Sequence, residues 1–299
     1  MDEDIFEKYR LAGKIAAEAR NYGAGLINSG VSFLEVAEKI ESKITDAGGN
    51  LAFPVNISLN EIAAHFSPRH DEDIVFKKGD VVKLDVGTHI DGYIADTALT
   101  VEVGTHKYDS MIKAAEAGLD VAIEMIKPDV NLSKLGQAVE VEINSYGFKP
   151  VDNLTGHSLK QYVLHAGMNI PSVPDFLNKS KPKVGDVLAI EPFATDGAGH
   201  VVIGAGSNIY LCNRNLRSKI VRDNRAKTMF SKLVKEFRTL PFAERWSNNI
   251  IENNDNVLRR LTFLGLLKHY PQLIDAKKGI VTQKEHTVII TEDGCEVTT

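Results

Sequence analysis

The sequence predicts an α+β fold made of two similar halves, each a helix followed by a strand, related by a pseudo-twofold axis and joined through a curved antiparallel sheet. Three observations carry this reading. At a spacing of 99 residues, Val31, Glu41, Ile44 and Gly48 land on Val130, Glu140, Ile143 and Gly147, and apolar Val36 and Ile40 land on Leu135 and Val139. At a spacing of 106, the strand-like Gly79-Asp80-Val81-Val82-Lys83-Leu84-Asp85 reads onto Gly185-Asp186-Val187-Leu188-Ala189-Ile190-Glu191. Before the final strand lies a long segment that the first half lacks, with helical spacing of its own. The expected division is therefore residues 1–195 plus 276–299 as the duplicated domain and 196–275 as an inserted helical subdomain.

Each element has a local justification. Ile5, Tyr9, Ala12 and Ala16 fall near one face of a helix over about residues 4–21. Leu34, Ala37, Ile40 and Ile44 mark a second helix over 33–46, with Ser32 as its N-cap and Gly48 as its stop. Asp91-Gly92 between β-rich runs is a strong hairpin signal and favours a two-residue type I′ turn. In the insertion, Met229, Leu233, Val234 and Phe237, then Val257, Leu261 and Leu264, recur at helical spacing. Gly197-Ala198-Gly199 and Gly204-Ala205-Gly206 lack the Gly-Lys-Ser/Thr ending of a phosphate loop and read as turns. A last strand is expected over about 279–291.

Composition narrows the class. The chain has 299 residues, of which 43% are hydrophobic and 25% charged, which excludes disordered, collagen-like and coiled-coil proteins. With 35 basic and 40 acidic residues the net charge is −5, so bulk charge does not mark a polyanion binder. The two cysteines, Cys212 and Cys295, are too few for a disulfide framework or a thiolate metal site and fit a reducing compartment. Residues 1–10 lack the basic and apolar regions of a secretory signal, and no apolar run approaches the about 20 residues that span a bilayer. A cytoplasmic location without membrane contact is expected.

The chemistry gathers on acidic residues. With a type I′ turn at Asp91-Gly92, Ile90 pairs with Tyr93, Asp85 with Ala98 and Gly87 with Asp96, so Asp85 and Asp96 share one face. As diagonal neighbours their Cα atoms lie about 7–8 Å apart, and Gly87 leaves open space opposite Asp96. Buried like charges this close repel unless a cation lies between them. The hairpin alone also admits two aspartates on a solvated face, because a bulge breaks the register. Glu191 at the end of an apolar strand and Glu285 in a β-branched run add two carboxylates that are costly to bury unpaired. His157, beside Gly156, supplies a candidate nitrogen donor. The duplication places Asp85 and Glu191 at equivalent positions.

In order and context, the Asp85–Asp96 hairpin, the loop Asn153-Leu154-Thr155-Gly156-His157-Ser158, His165 in Leu164-His165-Ala166-Gly167, the strand Ala189-Ile190-Glu191 and Glu285-His286-Thr287 resemble type II methionine aminopeptidases, over nearly the whole chain. The resemblance implies the pita-bread fold, with an insertion similar to a winged helix, in a minimal archaeal-style form without the charged N-terminal extension of eukaryotic members. It implies two divalent metal ions, of Co, Mn, Fe, Zn or Ni, held by Asp85, Asp96, His157, Glu191 and Glu285, with Asp96 and Glu285 bridging. It assigns Glu191 as proton acceptor, His65 as the histidine that contacts the scissile amide, and His165 as the one that stabilises the oxyanion. Phe53, Leu164 and Tyr270 would line the methionine pocket together with those histidines. The implied activity is removal of initiator methionine from peptides and nascent chains with a small second residue; as separate expectations, the resemblance leaving oligomeric state open, the protein is a monomer and works near the ribosome.

Two other readings stay open: a proline-directed peptidase of the same fold, and a non-catalytic relative that binds ribosome or RNA. Residues 211–245 carry ten basic against three acidic side chains, which suits either a phosphate-binding surface or a solvated, ion-paired helix face. His70, His89, His106, His200, His269 and His286 read as structural. His65 and His70 flank Pro68, which excludes a shared helical face, so that pair is not a metal site.

Overall fold

The computed structural model describes residues 3–213, 223–251 and 255–299. Helix α1 (Glu3–Leu26) runs past the expected end at Asn21, and α2 (Phe33–Asp46) has the expected bounds. Ser32 Oγ accepts from Glu35 N at 3.5 Å, and Gly48, in the left-handed region at φ 84°, lets Gly49 N donate to Ile44 O at 3.0 Å. Short strands β1 (Asn50–Leu51), β2 (Asn56–Leu59) and β3 (Ile62–Ala64) lead to the hairpin β4 (Val81–Ile90) and β5 (Tyr93–Glu102). Its register is the expected one, Gly87 facing Asp96 and Asp85 facing Ala98. Asp91 and Gly92 have φ 52° and 89°, the two positive angles that a type I′ turn demands. Val82, Leu84 and Val86 pack on Phe33, Ile40 and Ile44 of α2, so the alternate face, with Asp85, turns away from the helices.

The second half repeats this plan in α3 (Asp109–Met125), α4 (Leu132–Ser145), β6 (Lys149–Pro150), β7 (Thr155–Leu159), β8 (Asn169–Pro171), β9 (Val187–Ile190) and β10 (Phe193–Thr195). The repeat extends to caps and turns. Asn131 Oδ1 accepts from Lys134 N at 3.1 Å, 99 residues after the Ser32 cap. Asp80 Oδ2 accepts from Lys77 N and Asp186 Oδ2 from Lys183 N, both at 2.8 Å, beside Gly79 and Gly185 at φ 92° and 88°.

The described residues of 201–275 form β11 (Val201–Cys212), α5 (Asn224–Phe237), β12 (Phe242–Ala243), α6 (Glu244–Asn248), α7 (Asp255–Phe263) and β13 (Leu267–Asp275). Met229, Leu233, Val257 and Leu261 share a core with Phe242, as their helical spacing anticipates. The long ribbon of β11 and β13 was not legible in that spacing. It also corrects the turn expected at Gly204-Ala205-Gly206, which lies inside β11. A Cβ on Gly204 would overlap Ile274 and one on Gly206 the His269 ring, and the pairing shifts register on either side of Gly206. Glycine there marks bulges and close approach, not a reversal. Of the basic stretch, Arg214, Arg217, Lys219 and Arg222 lie outside the described residues.

The last strand is broken in two, β14 (Val281–Gln283) and β15 (His286–Ile290), before β16 (Cys295–Val297). The break faces the one between β9 and β10. Phe193 pairs with Gln283 and Ile190 with His286, so one register runs through a gap that holds Glu191 and Glu285. Pro192, with no N–H to give, accounts for the opening. The sheets are all antiparallel: β1, β2 and β5 about β4; β16-β15-β9-β7-β8; β14-β10-β6; and β12-β11-β13-β3. The halves meet where Glu285 N donates to Ala98 O at 3.0 Å and Asp96 N to Thr287 Oγ1 at 2.8 Å. Among the described residues no helix is long and apolar enough to cross a membrane.

Candidate metal centre

One cavity of about 60 Å³ between the halves is lined by Asp85, Asp96, His157, Glu191 and Glu285, together with His65, His165, Phe53, Leu164 and Tyr270. Every site residue read from the sequence is thus brought to one place. The hairpin supplies the two aspartates, β7 supplies His157, and the opposed strand breaks supply the two glutamates. His157 Nε2 lies 3.7 Å from Asp96 Oδ2 and 3.5 Å from Glu191 Oε1. Asp96, His157 and Glu285 each offer a ligand atom within 4.8 Å of the others.

Two glycines permit this. A Cβ on Gly156 would strike the carbonyl oxygen of Ala189, so only glycine lets β7 pair closely with β9 and carry His157 inward. Gly87 works differently from the expectation. The space opposite Asp96 is filled by the Phe53 ring, which a Cβ on Gly87 would overlap, so this glycine seats the pocket wall.

The electrostatics call for a cation. Burial pushes the Asp85 carboxyl up to about 7. Burial, then the neighbouring carboxylates, hold Asp96, Glu191 and Glu285 well above the usual range. Burial lowers His157 to about 3, keeping its imidazole neutral as ligation requires. Asn56 Nδ2 reaches Asp85 Oδ2 at 3.5 Å, and Gln283 Nε2 reaches Glu191 Oε2 at 3.3 Å and Glu285 Oε2 at 3.4 Å. Among the described residues no donor reaches Asp85 Oδ1 or Asp96 Oδ1, both fully buried. Oxygens without donors beside a neutral imidazole fit a divalent ion, and a donor set rich in oxygen with one nitrogen suits Mn or Fe while accepting Co, Ni or Zn. Asn56 and Gln283 were missed in the sequence because neutral amides carry no charge signal. Gln283, two residues before Glu285 in a β-branched run, was the available hint.

His65 sits at φ 65°, its ring edge-on to Tyr270 with centroids 5.3 Å apart. His165 stacks obliquely on His157 at 4.4 Å. Burial lowers His65 to about 4 and lowers His165 as well, so both are neutral near pH 7. His70 and His89 have partners elsewhere: His70 Nδ1 is 3.0 Å from Glu244 Oε1, and His89 Nδ1 accepts from Gly92 N at 3.0 Å.

Comparison with known proteins adds four findings beyond this geometry. The profile of metallopeptidase family M24 matches residues 7–292. A methionine aminopeptidase of Methanocaldococcus jannaschii is 44% identical over 301 residues, which cover 100% of both chains. Among solved structures, a thermophilic Arx1 overlays with a TM-score of 0.86 at 16% identity, covering 100% of this chain and 91% of that one. The methionine aminopeptidase of Rickettsia prowazekii overlays with a TM-score of 0.71 at 21% identity, covering 100% and 98%. At those identities the two overlays bear on fold alone.

Proposed function

The chain belongs to metallopeptidase family M24, and from that premise we propose that it is a metal-dependent methionine aminopeptidase whose reaction takes place in the cavity between the halves. The observation that carries this reading is the convergence of four carboxylates and one neutral imidazole beside an apolar wall of Phe53, Leu164 and Tyr270. Asp85, Asp96, His157, Glu191 and Glu285 would hold the cofactor, two divalent ions on this proposal. A bound divalent ion polarises the scissile carbonyl and lowers the pKa of water.

The protein's own groups do the rest. The methionine side chain, apolar and polarisable, lies against Phe53, Leu164 and Tyr270, which fixes its carbonyl near the acids. Glu191, oriented by Gln283, accepts a proton from the attacking water as the oxygen–carbon bond forms. A neutral His65 donates its ring N–H toward the scissile amide, and His165 donates to the oxyanion that develops on the carbonyl. When the carbon–nitrogen bond breaks, the proton held by Glu191 passes to the leaving amine. The substrates on this reading are peptides and nascent chains in the cytoplasm with a small residue after methionine.

Hydrolysis of Met-Ala-Ser and of an X-Pro peptide by the metal-loaded protein separates the close alternatives. Release of methionine from Met-Ala-Ser, with the X-Pro peptide left intact, is the expected result. Cleavage of the X-Pro peptide alone would sink it.

A further inference from the structure

The segment that carries His65 has no regular structure from Phe66 to Arg69, and most of its anchors come from the insertion. Ser67 N donates to Ser207 O at 3.0 Å, and Asn208 Nδ2 donates to Ser67 O at 2.9 Å. Arg245 Nη1 donates to both Ser67 Oγ and Pro68 O at 2.8 Å. The other arm of the guanidinium donates to Glu41 of α2, which also accepts from Trp246 Nε1 at 2.9 Å. Arg245, Glu41 and Ser67 are 6%, 8% and 0% exposed. Ser67 Oγ in turn donates to Val55 O at 2.8 Å, one residue before Asn56 and its contact with Asp85.

A buried ion pair is a poor source of stability, since apolar residues of similar volume do as well or better. What apolar residues cannot supply is a rigid fork of donors aimed at two neighbouring acceptors. Here the fork fixes the two residues that follow His65-Phe66, while His65 itself holds a left-handed backbone that costs energy for a residue with a Cβ. We propose that Arg245 is a positioning residue for the peptidase reaction: anchored by Glu41, it holds Ser67 and Pro68 and thereby sets the angle at which the His65 imidazole meets the scissile amide. The inference rests on the role given to His65 above.

The test is steady-state kinetics of the metal-loaded protein on Met-Ala-Ser for Arg245→Lys, Ser67→Ala and His65→Ala and for each of the first two combined with His65→Ala. Arg245→Lys keeps a charge beside Glu41, and Ser67→Ala leaves the ion pair untouched should the lysine variant fail to fold. Both single variants are expected to lose about 10-fold or more in kcat, since misplacement by about 1 Å can cost ~10²-fold. KM should stay within about twofold, and metal content should equal that of the parent. In the His65→Ala background the same substitutions should change kcat less than about twofold. A full-sized loss in that background, a loss confined to KM or to metal content, or unchanged kcat in both single variants overturns the proposal. If His65→Ala alone is as active as the parent, the role of His65 falls first and the positioning role with it.

Discussion

Four carboxyl groups facing one cavity cannot all ionise while dry, and the raised pKa of each records that conflict. The sign of the consequence follows from linkage. Asp85 has an unfolded value of 3.8 and a folded value of about 7, so its contribution to the stability of the metal-free protein is full below 3.8 and lost as the pH rises through about 7. Asp96, Glu191 and Glu285 shift in the same direction. A divalent ion binds the ionised forms and displaces their protons, so its stabilising effect grows over that window. Calorimetric melting with chelator and with saturating Mn²⁺ should show a metal-induced rise in Tm that is larger at pH 8 than at pH 5, by several degrees at about 1.4 kcal/mol per proton displaced and pH unit. Equal rises at both pH values would place the bound ion away from these acids.

At the scale of elements, the site depends on how closely β7 approaches β9. Gly156 stands where a Cβ would meet the Ala189 carbonyl, a backbone atom that cannot swing aside as a side chain can. Gly156→Ala should therefore destabilise by about 1–3 kcal/mol and, by displacing His157, weaken divalent-metal affinity. Denaturant unfolding and calorimetric metal titration check the two effects, and no change in either would contradict the account. The hairpin that carries Asp85 and Asp96 was legible in the sequence because Asp91-Gly92 dictates its turn and the turn dictates its register. The duplication was legible in helix spacing and in the match of Gly79-Asp80 onto Gly185-Asp186, while the hydrogen bonds by which Asp80 and Asp186 close equivalent turns were not. The break at Glu285 was not legible, because its cause, Pro192, stands on the partner strand. The bulges at Gly204 and Gly206 were hidden for a similar reason: Ile274 and His269, which need the room, come from β13. Phe53 over Gly87 is likewise a contact between distant elements with no local trace.

At the scale of the molecule, the insertion completes a cavity that the duplicated halves begin. Tyr270, Ile209 and Pro241 reach the cavity from it. Besides its grip on the His65 segment, it holds the loop that carries His165, where Thr239 Oγ1 donates to Tyr162 O and the Arg238 guanidinium lies 4.4 Å from the Tyr162 ring centroid. The two halves supply acids from opposite sides, and β5 seals against β15 to keep them in register. Function on this proposal requires those acids to converge on divalent ions, and anomalous diffraction from crystals grown with Mn²⁺ tests this most directly. Peaks should appear within bonding distance of Asp85, Asp96, His157, Glu191 and Glu285 and diminish in Asp96→Asn; peaks only elsewhere, or none in crystals of a Mn²⁺-active protein, would contradict it.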